Sequence, residues 1–397
     1  MKTLLLASTA ALATAATAMA EVKVGSIGAV TGPIAEIAAD VMEARDLAAT
    51  HVNEQGGLFA DGQPLTLVVG DSACDPKAAV DAGTKLVNVD QVVSLVGPHC
   101  SGATLAMVES VTIPAGIVNL SESATSPQIT GLDDNDLVFR AAPSDAYQGI
   151  ALATYVLAQG VTKVAVTYAN DDYNAGLGKE FIAAFVAAGG TVAVEQVHEP
   201  NKASYRAEVV TLSGSEAEAL VVLAYYGASG TAILRNSLET GAFTKFFGAD
   251  GMVDDALVEA LGIDALKDAA FTTPGADPST GGWQAYMAVA EGLKSPTGPL
   301  VANGYDAMFL MALAIEKAGS ADRTLIAAAL REVANAPGEV IHPGEWEKAK
   351  ALIAAGEAIN YEGATGTLDF DAAGDVPGVY SLHKVTDDGT FASELLK

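Results

Sequence analysis

Two short turns built from small hydroxyl residues hold the best candidates for chemistry in this chain. The first, Gly-Pro-His-Cys-Ser-Gly at residues 97–102, follows an apolar run at 92–96 and leads into a segment, 103–111, whose pattern predicts a helix. A strand that ends in such a turn and then starts a helix points free backbone N–H groups into the turn, and the helix dipole adds partial positive charge there. Such a place binds a carboxylate or phosphate without a basic side chain. Ser101 falls at the expected N-cap, although an ordinary capped helix reads the same way. The second turn, Ser-Glu-Ser-Ala-Thr-Ser-Pro at 121–127, also follows an expected strand, at 117–120.

Other chemistries find less support. The sequence holds no Gly-x-Ser-x-Gly elbow, no His-Glu-x-x-His, no phosphate-binding Gly-rich loop and no Gly-x-Gly-x-x-Gly. The histidines, His51, His99, His198, His342 and His383, are scattered, and their spacing with Cys74, Cys100 and Asp75 matches no metal cage. No metal and no cofactor is expected. His99 beside Cys100 leaves open an exported Cys–His hydrolase.

The elements that position the turns alternate regularly. Expected strands at 22–28, 65–69, 92–96 and 117–120 are separated by helical patterns at 35–53, 76–87 and 103–111. This is the signature of a parallel sheet covered by helices on both faces. A strand at 137–140 and a break at Pro143 follow, and the alternation then restarts with strands at 163–168, 191–197 and 219–223. From Trp283 the pattern is mostly helical, and hairpin-like strands are expected at 366–370 and 378–385. In open α/β sheets, ligands sit at the strands' carboxyl edge, which is where both hydroxyl turns fall.

The chain has 397 residues, half of them hydrophobic, enough for two cores. It opens with one basic residue and an Ala-rich apolar run ending in Ala18-Met19-Ala20, which predicts export and cleavage before Glu21. No Cys follows that site, so no lipid anchor is expected. With 49 acidic against 21 basic residues the net charge is −28, which argues against nucleic acid and anionic membranes as partners. Cys74 and Cys100 are the only cysteines, and an oxidising compartment favours a bridge between them over a catalytic thiol.

Taken together, the turn at 24–33, Cys-Asp-Pro-Lys at 74–77, the Cys-Ser turn, the segment 121–130, Tyr173, Tyr225-Tyr226 and Gly-Ala-Asp-Gly at 248–251 carry a family resemblance over nearly the whole mature chain. The chain resembles the leucine/isoleucine/valine-type solute-binding proteins, receptor components of ABC amino-acid importers with the type I periplasmic binding protein fold. The resemblance implies an α/β protein of two similar lobes, each a parallel-rich sheet flanked by helices, joined by three hinge crossings near 140–144, 272–275 and 371–378. Residues 1–20 are then a signal peptide, 21–143 plus 273–375 the first lobe, and 144–272 plus 376–397 the second. It also implies a Cys74–Cys100 disulfide.

Carried over residue by residue, Ser101, Ser123, Ala124 and Thr125 fall where the family holds the ligand's α-carboxylate and ammonium. Asp250 falls where an acid, in the family a glutamate, pairs the ammonium from the other lobe. Tyr173 and Tyr226 supply aromatic walls and hydroxyls. Ile37 stands in place of an aromatic residue of the side-chain pocket and His99 in place of an aliphatic one. The expected protein is a monomeric, non-enzymatic periplasmic receptor that delivers a small aliphatic or branched-chain amino acid to an inner-membrane permease. The same fold holding another small carboxylate, an amide or a GABA-like ligand is the nearest alternative.

Overall fold

The computed structural model describes residues 20–396, so nearly all of the expected signal peptide lies outside the described residues. Strands β1 (Val22–Gly28), β2 (Leu65–Asp71), β3 (Ser94–Val96), β4 (Asn119–Ser121) and β5 (Val138–Arg140) form an all-parallel sheet in the order β2-β1-β3-β4-β5. The central strands are buried almost throughout, because helices cover both faces. A second sheet begins with parallel strands β6 (Lys163–Ala169), β7 (Thr191–His198), β8 (Ala219–Leu223), β9 (Phe246–Ala249) and β10 (Ala270–Gly275). After a small sheet of β11 (Glu339–Ile341), β12 (Ile359–Gly363) and β13 (Gly366–Thr367), strands β14 (Val379–Val385) and β15 (Phe391–Leu395) return to the second sheet and pair antiparallel at its β10 edge.

The tail differs from the expected hairpin of 366–370 with 378–385. The hairpin is β14–β15, turned by Asp387-Asp388-Gly389 with Gly389 at φ +85°. The segment between β13 and β14 instead crosses between the sheets. Arg140 holds it there: Nε donates to Asp375 Oδ1 and Nη2 to Asp375 Oδ2, both at 2.7 Å, while Nη1 donates to the Ser126 carbonyl at 2.9 Å. One buried guanidinium thus ties two crossings to the second hydroxyl turn.

Helix Val301–Ala318 is buried from Val301 through Glu316 and packs on helix Ala35–Glu54 over the first sheet. A helix apolar on nearly all sides belongs in a core or a membrane. Among the described residues, no helix is long and apolar enough to cross a membrane.

A polar cluster sits inside this first core. Arg45 Nη1 donates to the Ser26 hydroxyl at 3.2 Å and to the carbonyls of Ile27 and Val96 at 3.0 and 3.3 Å, and Nη2 is in close contact with Glu122. Gly97 leaves β3 at φ +98° directly above it; a Cβ there would lie 1.9 Å from the Ile27 carbonyl oxygen, so only glycine fits. Cys74 and Cys100 are bridged, with Cα atoms 5.4 Å apart, which pins the first hydroxyl turn to the turn after β2. Closing this loop stabilises the fold by about 3–4 kcal/mol in the chain-entropy model.

Removing one member of a buried ion pair leaves the other charge uncompensated. Arg45→Met is therefore expected to lower unfolding free energy by about 3–5 kcal/mol. Arg45→Met combined with Glu122→Leu should recover part of that loss. Urea unfolding of the single and double variants checks this, and a double variant no more stable than Arg45→Met contradicts it.

Candidate functional site

Both hydroxyl turns lie at the carboxyl edge of the first sheet, after β3 and β4, and they are sewn together. Ser126 N–H donates to Ser101 Oγ at 3.1 Å, Ser121 Oγ donates to the Pro98 carbonyl at 2.8 Å, and Ser123 Oγ donates to the His99 carbonyl at 3.0 Å. Ser101 is the first residue of helix Ser101–Met107 and Cys100 takes the N-cap position; the helix starts two residues earlier than the expected 103–111. Ala124 and Thr125 are fully buried.

The facing wall comes from the second sheet. Tyr173 is the second residue of helix Asp172–Ala187, which Asp171 caps by accepting the Asn174 N–H at 2.8 Å. Asp250 follows β9. Its Oδ1 accepts from Gln148 Nε2 at 2.8 Å, and the Tyr173 hydroxyl also bonds to it. Burial pushes the Asp250 carboxyl up from the usual carboxylate range, against the pull of those two donors. Tyr173 stacks on Tyr225 with ring centroids 5.4 Å apart. The two edges are closed on one another: Gln128 Nε2 donates to Asp172 Oδ1 at 3.1 Å, and a Cβ on Gly227 would lie 2.4 Å from the Pro33 carbonyl oxygen. The enclosed wall is rich in acceptors and poor in cations.

Three expected residues sit elsewhere. Tyr226 points away from Asp250 to the rim, where its hydroxyl meets Asp254 and Glu36; its neighbour Tyr225 takes the inner place. Adjacent residues leaving β8 point opposite ways. His99 is buried in the Arg45–Glu122 cluster with both ring nitrogens engaged. Nδ1 accepts the Ala29 N–H at 3.0 Å, which assigns the proton to Nε2, 3.2 Å from Glu122 Oε1. Burial first, then the Arg45 cation, hold its pKa well below the ordinary value, so the ring is neutral. Ile37 is partly buried and lines a neighbouring cavity of about 290 Å³ with Glu36, Asp40, Val253 and Asp254.

Asp145 and Gln148 had no place among the expected site residues, and Tyr225 only marked the resemblance beside Tyr226. Asp145 and Gln148 are three residues apart at the start of helix Asp145–Ala158, so they share one face. That spacing, just after the Pro143 break, was the available signal. Among the described residues no group of three or more His, Cys, Asp and Glu is placed to hold a metal ion.

At the rim, Asp254 is pushed up to about 6, chiefly by burial and in part by the Glu36 carboxyl, against the Ala256 N–H and Tyr226 hydroxyl that pull it down. Glu36 belongs to the first sheet's helix Ala35–Glu54 and Asp254 follows β9, so the two carboxyls come from opposite edges of the cleft. A carboxyl whose pKa is raised in the closed form takes up a proton on closing. Its favourable contribution is present below the ordinary aspartate range and is lost as pH rises through about 6. The ligand-free protein is expected to be more closed at pH 5 than at pH 7.5, by small-angle scattering. Asp254→Asn should shrink the difference, and an undiminished one contradicts the assignment.

Comparison with known proteins extends this picture over the chain. A family model described as periplasmic binding protein matches residues 21–350. The Leu/Ile/Val-binding protein BraC3 of Rhizobium johnstonii is 30% identical over 349 residues, covering 86% of this chain and 93% of that protein. BasB, the substrate-binding protein of a chemotactic signal transduction system in Halobacterium salinarum, is 28% identical over 390 residues, covering 95% of this chain and 90% of that protein. A leucine binding protein, LivK, from Thermotoga maritima superposes with a TM-score of 0.80 at 24% identity, over 95% of this chain and 99% of that one, and shares the fold. With the family model matched over residues 21–350 and a relative 30% identical over most of its length, the chain belongs to the periplasmic binding protein family.

Proposed function

We propose that this protein is the exported ligand-capturing component of an ABC amino-acid import system. It clamps a small α-amino acid, branched-chain or otherwise aliphatic, between two lobes and presents it to an inner-membrane permease. In this reading residues 1–20 direct export to the periplasm. Residues 21–143 with 273–375 form one lobe and 144–272 with 376–397 the other. The protein acts as a monomer and catalyses no reaction.

The observation that carries the proposal is Asp250, a buried acid on one lobe facing two hydroxyl turns on the other. Backbone N–H groups and hydroxyls around Ser101, Ser123, Ala124 and Thr125 suit the ligand's carboxylate, and Asp250 suits its ammonium. Tyr173 and Tyr225 form the aromatic floor, while Ile37 and Tyr226 lie toward the side-chain end. His99 supports the turn from behind. That the Rhizobium relative is a Leu/Ile/Val-binding protein supports a branched-chain ligand. A hydrolase built on Cys100 loses its nucleophile, because that sulfur is bridged to Cys74. The likeness to BasB supports a second reading for the partner alone, in which the loaded receptor reports to a signal transducer.

A thermal-shift screen against the twenty amino acids tests the proposal. Ligand at 100 times its Kd adds about 2.7 kcal/mol by mass action, a readily seen rise in Tm. At least one aliphatic α-amino acid is expected to respond. Asp250→Ala should abolish the response while leaving the ligand-free protein folded. No response to any α-amino acid from the wild type refutes the reading.

A further inference from the structure

The cleft that holds Asp250 and the hydroxyl turns is bridged at one end and leads into a chamber at the other. At the bridged end Gln128 Nε2 donates to Asp172 Oδ1, and a Cβ on Gly102 would lie 2.8 Å from Asp172 Oδ2. At the other end Val253, just past Asp250 in the chain, lines the cavity of about 290 Å³ together with Ile37. A second cavity of about 360 Å³ adjoins it, and Thr297, Gly298, Pro299, His383 and Phe391 line both. Pockets that hold small ligands begin at roughly 300 Å³ and favour the boundaries between domains. The two cavities make one chamber, walled by the loop before helix Val301–Ala318, by β14 and β15, and by the crossing that leaves β10.

Much of the deeper wall is apolar and stiff. Pro274, Trp283, Pro296, Leu300 and Phe391 line it. Proline and aromatic side chains offer flat apolar surface with little rotamer freedom to lose. A leucine side chain would leave part of this space unfilled, and a void forfeits the contacts its lining could make.

Where the two cavities meet, His383 supplies the polar feature. It lies on β14 and is 4% exposed. The Thr273 hydroxyl donates to the Pro274 carbonyl at 3.0 Å, which leaves its oxygen to accept from His383 Nε2, also at 3.0 Å. That assigns the ring's proton to Nε2. Burial lowers the ring's pKa to about 4, so the ring is neutral and Nδ1 carries a lone pair. Among the described residues no donor reaches Nδ1. A buried acceptor without a donor is destabilising, and a guest that brings one removes the cost.

We propose that the chamber receives the ligand's side chain and admits aromatic α-amino acids whose ring carries an O–H or N–H group, with His383 Nδ1 as its acceptor. The proposal rests on the amino-acid reading above and widens its ligand class from aliphatic side chains to phenol and indole rings. Such an acceptor also discriminates. A ring without the donor fills the same space and leaves Nδ1 unpaired.

The test is calorimetric titration of the full mature protein with L-tyrosine, L-tryptophan, L-phenylalanine and L-leucine. At least one of tyrosine and tryptophan is expected to bind at least 10-fold more tightly than phenylalanine. His383→Leu removes the acceptor and keeps an apolar side chain on β14, and in it that ratio should fall to within threefold. Phenylalanine binding as tightly as both, or a ratio unchanged in His383→Leu, overturns the proposal. Binding of leucine with no aromatic amino acid bound also overturns it, and leaves the amino-acid reading standing. If none of the four binds and the twenty-member thermal-shift panel is flat, both fall. Where His383→Leu does not purify folded, Ile37→Trp narrows the mouth of the chamber and leaves the second sheet untouched. The Kd of the tighter ring-donor amino acid, relative to that of leucine, should then rise at least 10-fold, and an unchanged ratio overturns the proposal.

Discussion

A carboxylate withdrawn from water must find donors, a cation or a proton, and the closed form of this protein withdraws several at once. Asp145 and Asp250 are buried where the two sheets' edges meet, and Tyr173 and Gln148 are side-chain donors to Asp250. Burial raises both pKa values, and each carboxyl raises the demand on its surroundings. Closure without a cationic guest is therefore costly, and closure around one is not. A receptor built this way distinguishes empty from loaded by electrostatics, because the ligand's differential contact with the closed form shifts the population.

The rest of the scaffold keeps that confrontation in register. Arg140 locks the third crossing to the first through Asp375 and reaches the carbonyl of Ser126 beside the second hydroxyl turn. Arg45, Glu122 and His99 fix the floor beneath both turns, and the Cys74–Cys100 bridge fixes the first turn from its flank. These buried charges are each paired within the protein. Asp145 and Asp250 are the contrast, two buried acids close enough for one to raise the pKa of the other.

The β-α alternation, its restart after Pro143 and the two hydroxyl turns were legible in the sequence because apolar runs and small polar turns encode them locally. Asp250 and Tyr173 were legible through their turns as well. The choice between Tyr225 and Tyr226 was not, because one residue of register at the end of β8 decides which ring faces inward. His99 was expected in the side-chain pocket from the resemblance, whereas its ring meets Arg45 and Glu122, 54 and 23 residues away along the chain. Asp145 was passed over because an acid in the first turn of a helix is ordinary. Only its full burial and its closeness to Asp250 set it apart. The tail hairpin was displaced because the crossing at Asp375 depends on Arg140, 235 residues away.

The most direct measurement is calorimetric titration of the mature protein with L-leucine, L-isoleucine and L-valine, each beside the acid that lacks its amino group and the amine that lacks its carboxylate. Tight binding of at least one amino acid, with both of its truncated analogues weakened at least 100-fold, is the predicted result. Binding of the acid without its amino group as tightly as the amino acid would contradict the clamp, since the buried carboxylates would then have no charge to meet.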